Sequence, residues 1–219
     1  MLWQVALFLF GLFFAEPVPA VYGTLEETKR VEAVIFRRER LIPAPAAGRF
    51  LRRHPAGERI PRQGLIGVLE RSKGKTGIKV LAPAAGLLTY TFDGLEDWSP
   101  KRVLAAPEEA YRAGRKSKPG PTGQVVLRRG DPLARLVDDE RQYLVLSFSG
   151  DRVPEVGKRL MIRSGSVTLP AVVAVASRRK DRIWLVLETG WFPSEWLDRR
   201  QLAGELVLDR TSGTLIPLR

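Results

Sequence analysis

The 219-residue chain contains no cysteine and a single histidine, His54. Disulfide frameworks, thiol nucleophiles, iron–sulfur clusters and Cys/His zinc sites are excluded on that ground. Neither a Gly-x-Ser-x-Gly elbow, nor a phosphate-binding glycine loop, nor a His-Glu-x-x-His helix occurs. His54 stands between Arg53 and Pro55 in a proline- and glycine-containing stretch, so it is read as a turn residue. No lysine or arginine precedes Lys29, so the positive-inside rule gives the N-terminus no orientation.

Basic residues are plentiful further on. Lysine plus arginine number 36 against 24 acidic residues, a formal charge of +12. Such a surface attracts polyanions: nucleic acid, anionic lipid or wall polymer. Arginine accounts for 27 of the 36, in short groups such as Arg37-Arg38, Arg52-Arg53, Arg128-Arg129, Arg178-Arg179-Lys180 and Arg199-Arg200. Each group adjoins an apolar run or a turn, which reads as solvated strand ends and loops. A nucleic-acid groove also needs aromatic residues interleaved with the cations for base stacking. Tyr90, Phe92, Trp191 and Trp196 are poorly placed for that, so nucleic acid is the weaker partner.

The N-terminus carries one apolar run, Leu2 to Ala15, without charge. As a helix it spans about 21 Å at roughly 1.5 Å per residue, against a hydrocarbon core of about 30 Å. Residues 1–24 are expected to be a single-pass membrane anchor or a signal segment, with the body outside the cytoplasm. Val18-Pro19-Ala20 permits signal cleavage and secretion as the alternative.

The middle of the chain repeats itself. Ala44-Pro45-Ala46-Ala47-Gly48 recurs as Ala82-Pro83-Ala84-Ala85-Gly86, each copy between short apolar segments. Gly57 to Leu69, containing Gly64, has the rhythm of Val126 to Val137, containing Gly130. Proline fixes φ and glycine admits positive φ, so these punctuation points force tight reversals between short strands. Neither repeat is large enough to bury its apolar face alone, and the two should pack about a pseudo-twofold axis. The chain is therefore expected to be mainly β.

These paired turns resemble the two halves of a lipoyl/biotinyl-type domain, a barrel-sandwich hybrid. With the lead-in Val31 to Glu39, the segment Tyr90 to Glu96, and Tyr143-Leu144-Val145-Leu146, the order of segments over about residues 31–219 is similar to HlyD-type membrane fusion proteins, best to the small forms of single-membrane bacteria. The resemblance implies a lipoyl-like domain over residues 25–139, with an insertion at about 95–124. A small β-barrel domain follows over residues 140–219, where Tyr143–Phe148, Arg159–Ile162, Val167–Val175, Ile183–Leu187 and Leu202–Asp209 read as strands.

It further implies a non-enzymatic, membrane-anchored adaptor that scaffolds a transport or secretion assembly and requires no cofactor. Its partners would be a membrane transporter subunit, copies of itself, and anionic lipid or wall polymer. The alternatives are a basic β-barrel that binds polyanions or nucleic acid, and a lipoyl/biotinyl carrier.

Two departures limit the analogy. A carrier attaches its group to a lysine on the hairpin between the halves, which here is Lys73 or Lys75 in Arg71-Ser72-Lys73-Gly74-Lys75-Thr76. Neither Asp-Lys-Ala nor Met-Lys-Met is present, and a plain solvated turn is expected. Adaptors that reach an outer-membrane channel insert a long helical hairpin at the same place, whereas Arg71 to Ile78 has no room for one. The helix-compatible insertion is Ser99 to Lys116, expected as one surface helix or a cap. Asp138-Asp139-Glu140 offers hard-cation ligands but is expected in a solvated turn.

Overall fold

A computed structural model describes residues 21–71, 77–118 and 126–215. The apolar run 2–15 and the hairpin lysines Lys73 and Lys75 lie outside the described residues. The chain divides into two units, Thr28–Leu208 and a small one made of Met1–Glu27 with Asp209–Arg219. In the small unit, Thr24 and Ser212 share a hydroxyl hydrogen bond of 3.0 Å, and Arg210 lies 3.7 Å from Glu26.

The large unit begins in a half built of two short sheets. Strands β2 (Gly48–Arg52), β4 (Leu65–Glu70), β5 (Ile78–Leu81) and β7 (Val126–Leu127) form one sheet in the order β5-β4-β2-β7. Facing it are β3 (Arg59–Ile60), β6 (Gly86–Thr89), and the parts of β1 (Val21–Pro43) and β8 (Pro132–Ser149) that pair over Glu39–Pro43. Short strands carry one inward residue in two, and those residues meet as one core: Ile42, Phe50, Ile66, Leu69, Val80, Leu88 and Leu136. The connection from β4 to β5 runs only from Arg71 to Gly77.

Strands β1 and β8 then continue into a second body. With β9 (Arg159–Ser164), β10 (Val167–Arg179), β11 (Arg182–Thr189) and β12 (Gln201–Leu215) the order is β1-β12-β9-β10-β11-β8, and the pairing of β8 with β1 closes a six-stranded ring. Closure leaves these strands no free edge. The interior follows the period of two, one pair from each strand: Ala33 and Ile35, Leu144 and Leu146, Leu160 and Ile162, Leu169 and Ala171, Ile183 and Leu185, Leu206 and Leu208. Trp196, in the short 3-10 turn Ser194–Trp196, is fully buried in the same core.

The insertion forms two helices, α1 (Pro100–Ala105) and α2 (Pro107–Lys116). Ser99 caps α1 by accepting the backbone N–H of Arg102, and proline opens each helix. The expected single helix is broken because Pro107 bars helical geometry at the preceding residue, and Ala106 has φ −137° and ψ 63°.

Val103 and Ala110 of these helices, with Leu95 and Trp98, cover Val34, Phe36, Val145 and Val186 on the outer face of the ring. Strands β1, β8 and β11 are thereby buried on both faces, which accounts for the nearly unbroken apolar run Val31–Phe36. Burying Val103 and Trp98 stabilises this contact by roughly 1.5–3 kcal/mol per side chain. Gly114 lets α2 approach closely, since a Cβ there would stand 2.0 Å from Val34 Cγ1.

Candidate functional site

The repeated turns dock onto each other's halves by the same hydrogen bonds. Ala44 N–H donates to Asp131 O at 2.8 Å, and Gly130 N–H donates to Ala44 O at 2.9 Å. In the other copy Ala82 N–H donates to Gly64 O and Gln63 N–H to Ala82 O, both at 2.8 Å. Both receiving turns place one residue at positive φ, Gln63 at 65° and Gly130 at 91°. Ala44 and Ala82 are buried, while Pro45 and Pro83 are exposed.

The remaining turn residues serve close backbone approach. A Cβ on Gly48 would stand 2.2 Å from Glu70 O, and one on Gly64 2.9 Å from Pro61 O. Gly57 N–H donates to Leu88 O at 2.8 Å, and Gly86 is buried opposite Ile60.

Between the two-sheet half and the ring lies a buried ionic cluster that corrects the reading of the arginines as solvated. Arg37, Arg135 and Arg200 are buried. Glu39 Oε2 accepts from Arg135 Nη1 at 3.1 Å and from Arg200 Nη2 at 2.9 Å. Arg200 also donates to Asp93 through Nε at 2.5 Å and Nη2 at 2.9 Å, and to Ile35 O at 2.8 Å. Arg37 donates to Trp196 O at 2.7 Å, Leu197 O at 3.1 Å and Gln142 Oε1 at 3.4 Å, with its guanidinium 4.4 Å from the Phe192 ring centre. Asp198 accepts from Arg135 at 3.5 Å and hydrogen-bonds Thr89.

Burial lowers the Arg37 pKa to about 9, partly opposed by Glu39, so the group remains charged at neutral pH. Burial disfavours the charge on Arg200 too, but Glu39 and Asp93 together outweigh it and raise its pKa. For Asp93, burial acts against ionisation and the Arg200 guanidinium overcomes it, so the carboxyl lies below the ordinary aspartate range. Three cations face three carboxylates, so the cluster is internally compensated and leaves no net charge for an anionic ligand. Arg37 Nε, Arg135 Nε, Gln142 Nε2 and Glu39 Oε1 have no partner among the described residues.

The pairing of β1 with β8 slips beside this cluster. Arg37 pairs with Gln142 and Glu39 with Val137, so residues 138–141 bulge opposite Arg38. Asp138-Asp139-Glu140 therefore lies within β8, not in the expected turn between strands. Sequence grouping missed the buried cations, yet a signal was present: Arg37 and Glu39 continue the inward row of Val31, Ala33 and Ile35, and Gln142 that of Leu144 and Leu146.

Elsewhere His54 Nδ1 lies 2.9 Å from Glu58, and its carbonyl accepts from Tyr90 Oη at 2.8 Å. Burial, partly opposed by the Arg52 guanidinium 3.9 Å from the ring centre, raises the Tyr90 pKa. Among the described residues no group of three or more histidine, aspartate or glutamate side chains is placed to hold a metal ion. Nor, among them, is any helix long and apolar enough to cross a membrane. The arrangement is suited to holding two β bodies rigidly and presenting their surfaces.

No family model matches the chain. No curated protein matches it either. Solved structures do: ZneB from Cupriavidus metallidurans, at 11% identity and TM-score 0.42, covers 94% of this chain and 78% of its own. An efflux-transporter candidate from Bacteroides eggerthii, at 9% identity and TM-score 0.45, has the same coverages, 94% and 78%. A membrane fusion protein from Streptococcus pneumoniae, at 6% identity and TM-score 0.40, covers 86% of this chain and 100% of its own.

Proposed function

We propose that this chain is a non-enzymatic extracytoplasmic adaptor of the membrane-fusion type, tethered through its N-terminal apolar run and scaffolding a transport assembly. One observation carries the reading: two half-repeats, interlocked through Ala44 and Ala82, lead through shared strands into a closed six-stranded ring. The lipoyl-like module over 25–139 and the barrel module over 140–219 supply surfaces for a transporter subunit and for further copies of the chain. The short β4–β5 connection favours a role at one membrane, because it offers no helical arm to reach a distant channel.

The test is in-cell photo-crosslinking from exposed positions of the lipoyl-like half, such as Arg49 and Leu51, after membrane fractionation. Recovery of a polytopic membrane protein attached to the chain supports the adaptor. Recovery only in the cytosol, with no membrane protein attached, overturns it. Submicromolar oligonucleotide binding with a steep salt slope would favour the polyanion reading instead. An intact mass carrying a lipoyl or biotinyl adduct on Lys73 or Lys75 would identify a carrier.

A further inference from the structure

The ring has two ends, and one is strongly basic. At that end β8 finishes at Ser149, paired with Arg182, and the β10–β11 hairpin turns through Lys180 and Asp181 beyond the pair Arg179 and Arg182. Arg152, Arg178, Arg179, Lys180 and Arg182 are all exposed there, against the acidic residues Asp151 and Asp181.

These cations are not equivalent. Arg178 donates to Gly150 O at 2.8 Å and Asp151 O at 2.5 Å, and Arg182 donates to Ser147 O at 3.0 Å and Ser147 Oγ at 2.7 Å. Arg178 holds the loop after β8 against the hairpin, and Arg182 is tied to β8 itself. Arg179 has only Glu108, at 3.6 Å, and the charges of Arg152 and Lys180 project from the tip without a counter-ion among the described residues.

Ala33 pairs with Leu146, and continuing that antiparallel register brings Arg30 level with Ser149 and hence with Arg182. β1 therefore enters the ring at the basic end. We propose that the tip bearing Arg152, Arg179 and Lys180 docks on the anionic phospholipid headgroups of the membrane. The inference rests on the reading that the N-terminal run inserts into that membrane. A narrow hairpin tip with no aromatic residue between Arg178 and Arg182 suits a plane of headgroup charge better than bases that need stacking platforms.

The absence of native cysteine allows a single thiol to report on the tip. The full chain with Asp181→Cys is labelled with a fluorophore and reconstituted into vesicles carrying a headgroup-linked quencher, of neutral phosphatidylcholine alone or with phosphatidylglycerol. Ala47→Cys, in the exposed turn after β1 and up to about 43 Å from Arg30 along the strand at roughly 3.3 Å per residue, serves as the distant control.

The expected result is strong quenching at position 181 on anionic vesicles only. It should fall to the neutral-vesicle level in 1 M salt, where the Debye length is about 3 Å. It should fall likewise in the triple variant Arg152→Gln, Arg179→Gln, Lys180→Gln, whose headgroup partition drops about tenfold to a hundredfold. The wild-type tip read against salt and lipid composition keeps the test independent of whether that variant folds.

Flotation with neutral vesicles in high salt reports on the N-terminal insertion separately. A chain that floats there while position 181 is quenched no more than position 47, or equally on both lipids, overturns the docking and leaves the anchor standing. A chain that does not float there but is quenched at position 181 on anionic vesicles keeps the docking and removes the anchor. Oligonucleotide binding that the triple variant abolishes, with vesicle quenching unchanged, also overturns the proposal.

Discussion

Glu39→Gln is the sharpest perturbation of the seam between the two-sheet half and the ring. The Glu39 side chain is 1% exposed, and its Oε2 is shared by Arg135, 3% exposed, and Arg200, 8% exposed. Glutamine keeps one acceptor oxygen but removes the charge, so three buried cations then face two carboxylates. Arg200 retains both bonds to Asp93, whereas Arg135 is left with contacts of 3.5 Å to Asp198 and to Leu197 O. The loss is therefore concentrated on Arg135. Breaking one side of a buried ion pair costs about 3–5 kcal/mol. At roughly 2–4 °C per kcal/mol for a chain of this size, Tm should fall by about 6–20 °C.

Thermal unfolding followed by intrinsic tryptophan fluorescence measures it, with Trp196, buried in the ring core, among the five emitters. The double variant Glu39→Leu, Arg135→Met removes both charges of the weaker pair and should recover at least half the loss. A single variant melting within about 2 °C of the parent, on the scale of roughly 2–4 °C per kcal/mol, would mean that the cluster is solvated and that the argument from burial is wrong.

Four further outcomes follow from the geometry. Gly130, at φ 91°, should lose about 1–2 kcal/mol on replacement by alanine, while Gln63→Gly at the equivalent position should gain up to about 1 kcal/mol; urea midpoints decide both. Gly114→Ala gains about 1 kcal/mol in helix propensity but drives a methyl into Val34, a steric loss of about 1–3 kcal/mol, and should shift the emission of Trp184, whose ring meets Tyr111 at 5.5 Å. Because the folded-state pKa of Asp93 is lowered, its stabilisation is present above its ordinary value near 3.8 and is lost as pH falls through the folded value, so Asp93→Asn should flatten the acid limb of the stability profile.

Strands β9 and β10 were legible because they alternate buried and exposed positions, and β11 because its core-facing and helix-facing residues make one continuous apolar run. Val167–Val175 and Ile183–Leu187 fall within β10 and β11. The duplicated turns were legible because a five-residue string recurs unchanged, and both copies make the same pair of backbone hydrogen bonds. The equivalence of Gln63 with Gly130 was not, since glutamine at positive φ carries no compositional mark.

The cluster was hidden for a different reason. Arg37 and Arg200 each sit beside an exposed arginine, Arg38 and Arg199, and a doublet suggests surface when its two members in fact point opposite ways. Distance in sequence concealed the rest: Asp93 and Arg200 are 107 residues apart, and only the closed fold brings them together. The carboxylate run 138–140 looked like a break because no apolar alternation passes through it, yet backbone pairing resumes on both sides of the bulge.

The same bulge bears on how the two proposed modules move. They are joined by strands of 23 and 18 residues, β1 and β8, which continue from one body to the other, so no linker is available to bend. Rotation between them has to be absorbed where the ladder is already interrupted, opposite Arg38. The arginine–carboxylate cluster spans that point from β1, from Asp93 after β6 and from the Trp196–Arg200 segment. Its charges resist separation because each would have to leave its partners at low dielectric. The bulge thus supplies an axis of bending and the cluster the restraint against it. Weakening the cluster should loosen the angle between the modules before it unfolds either core.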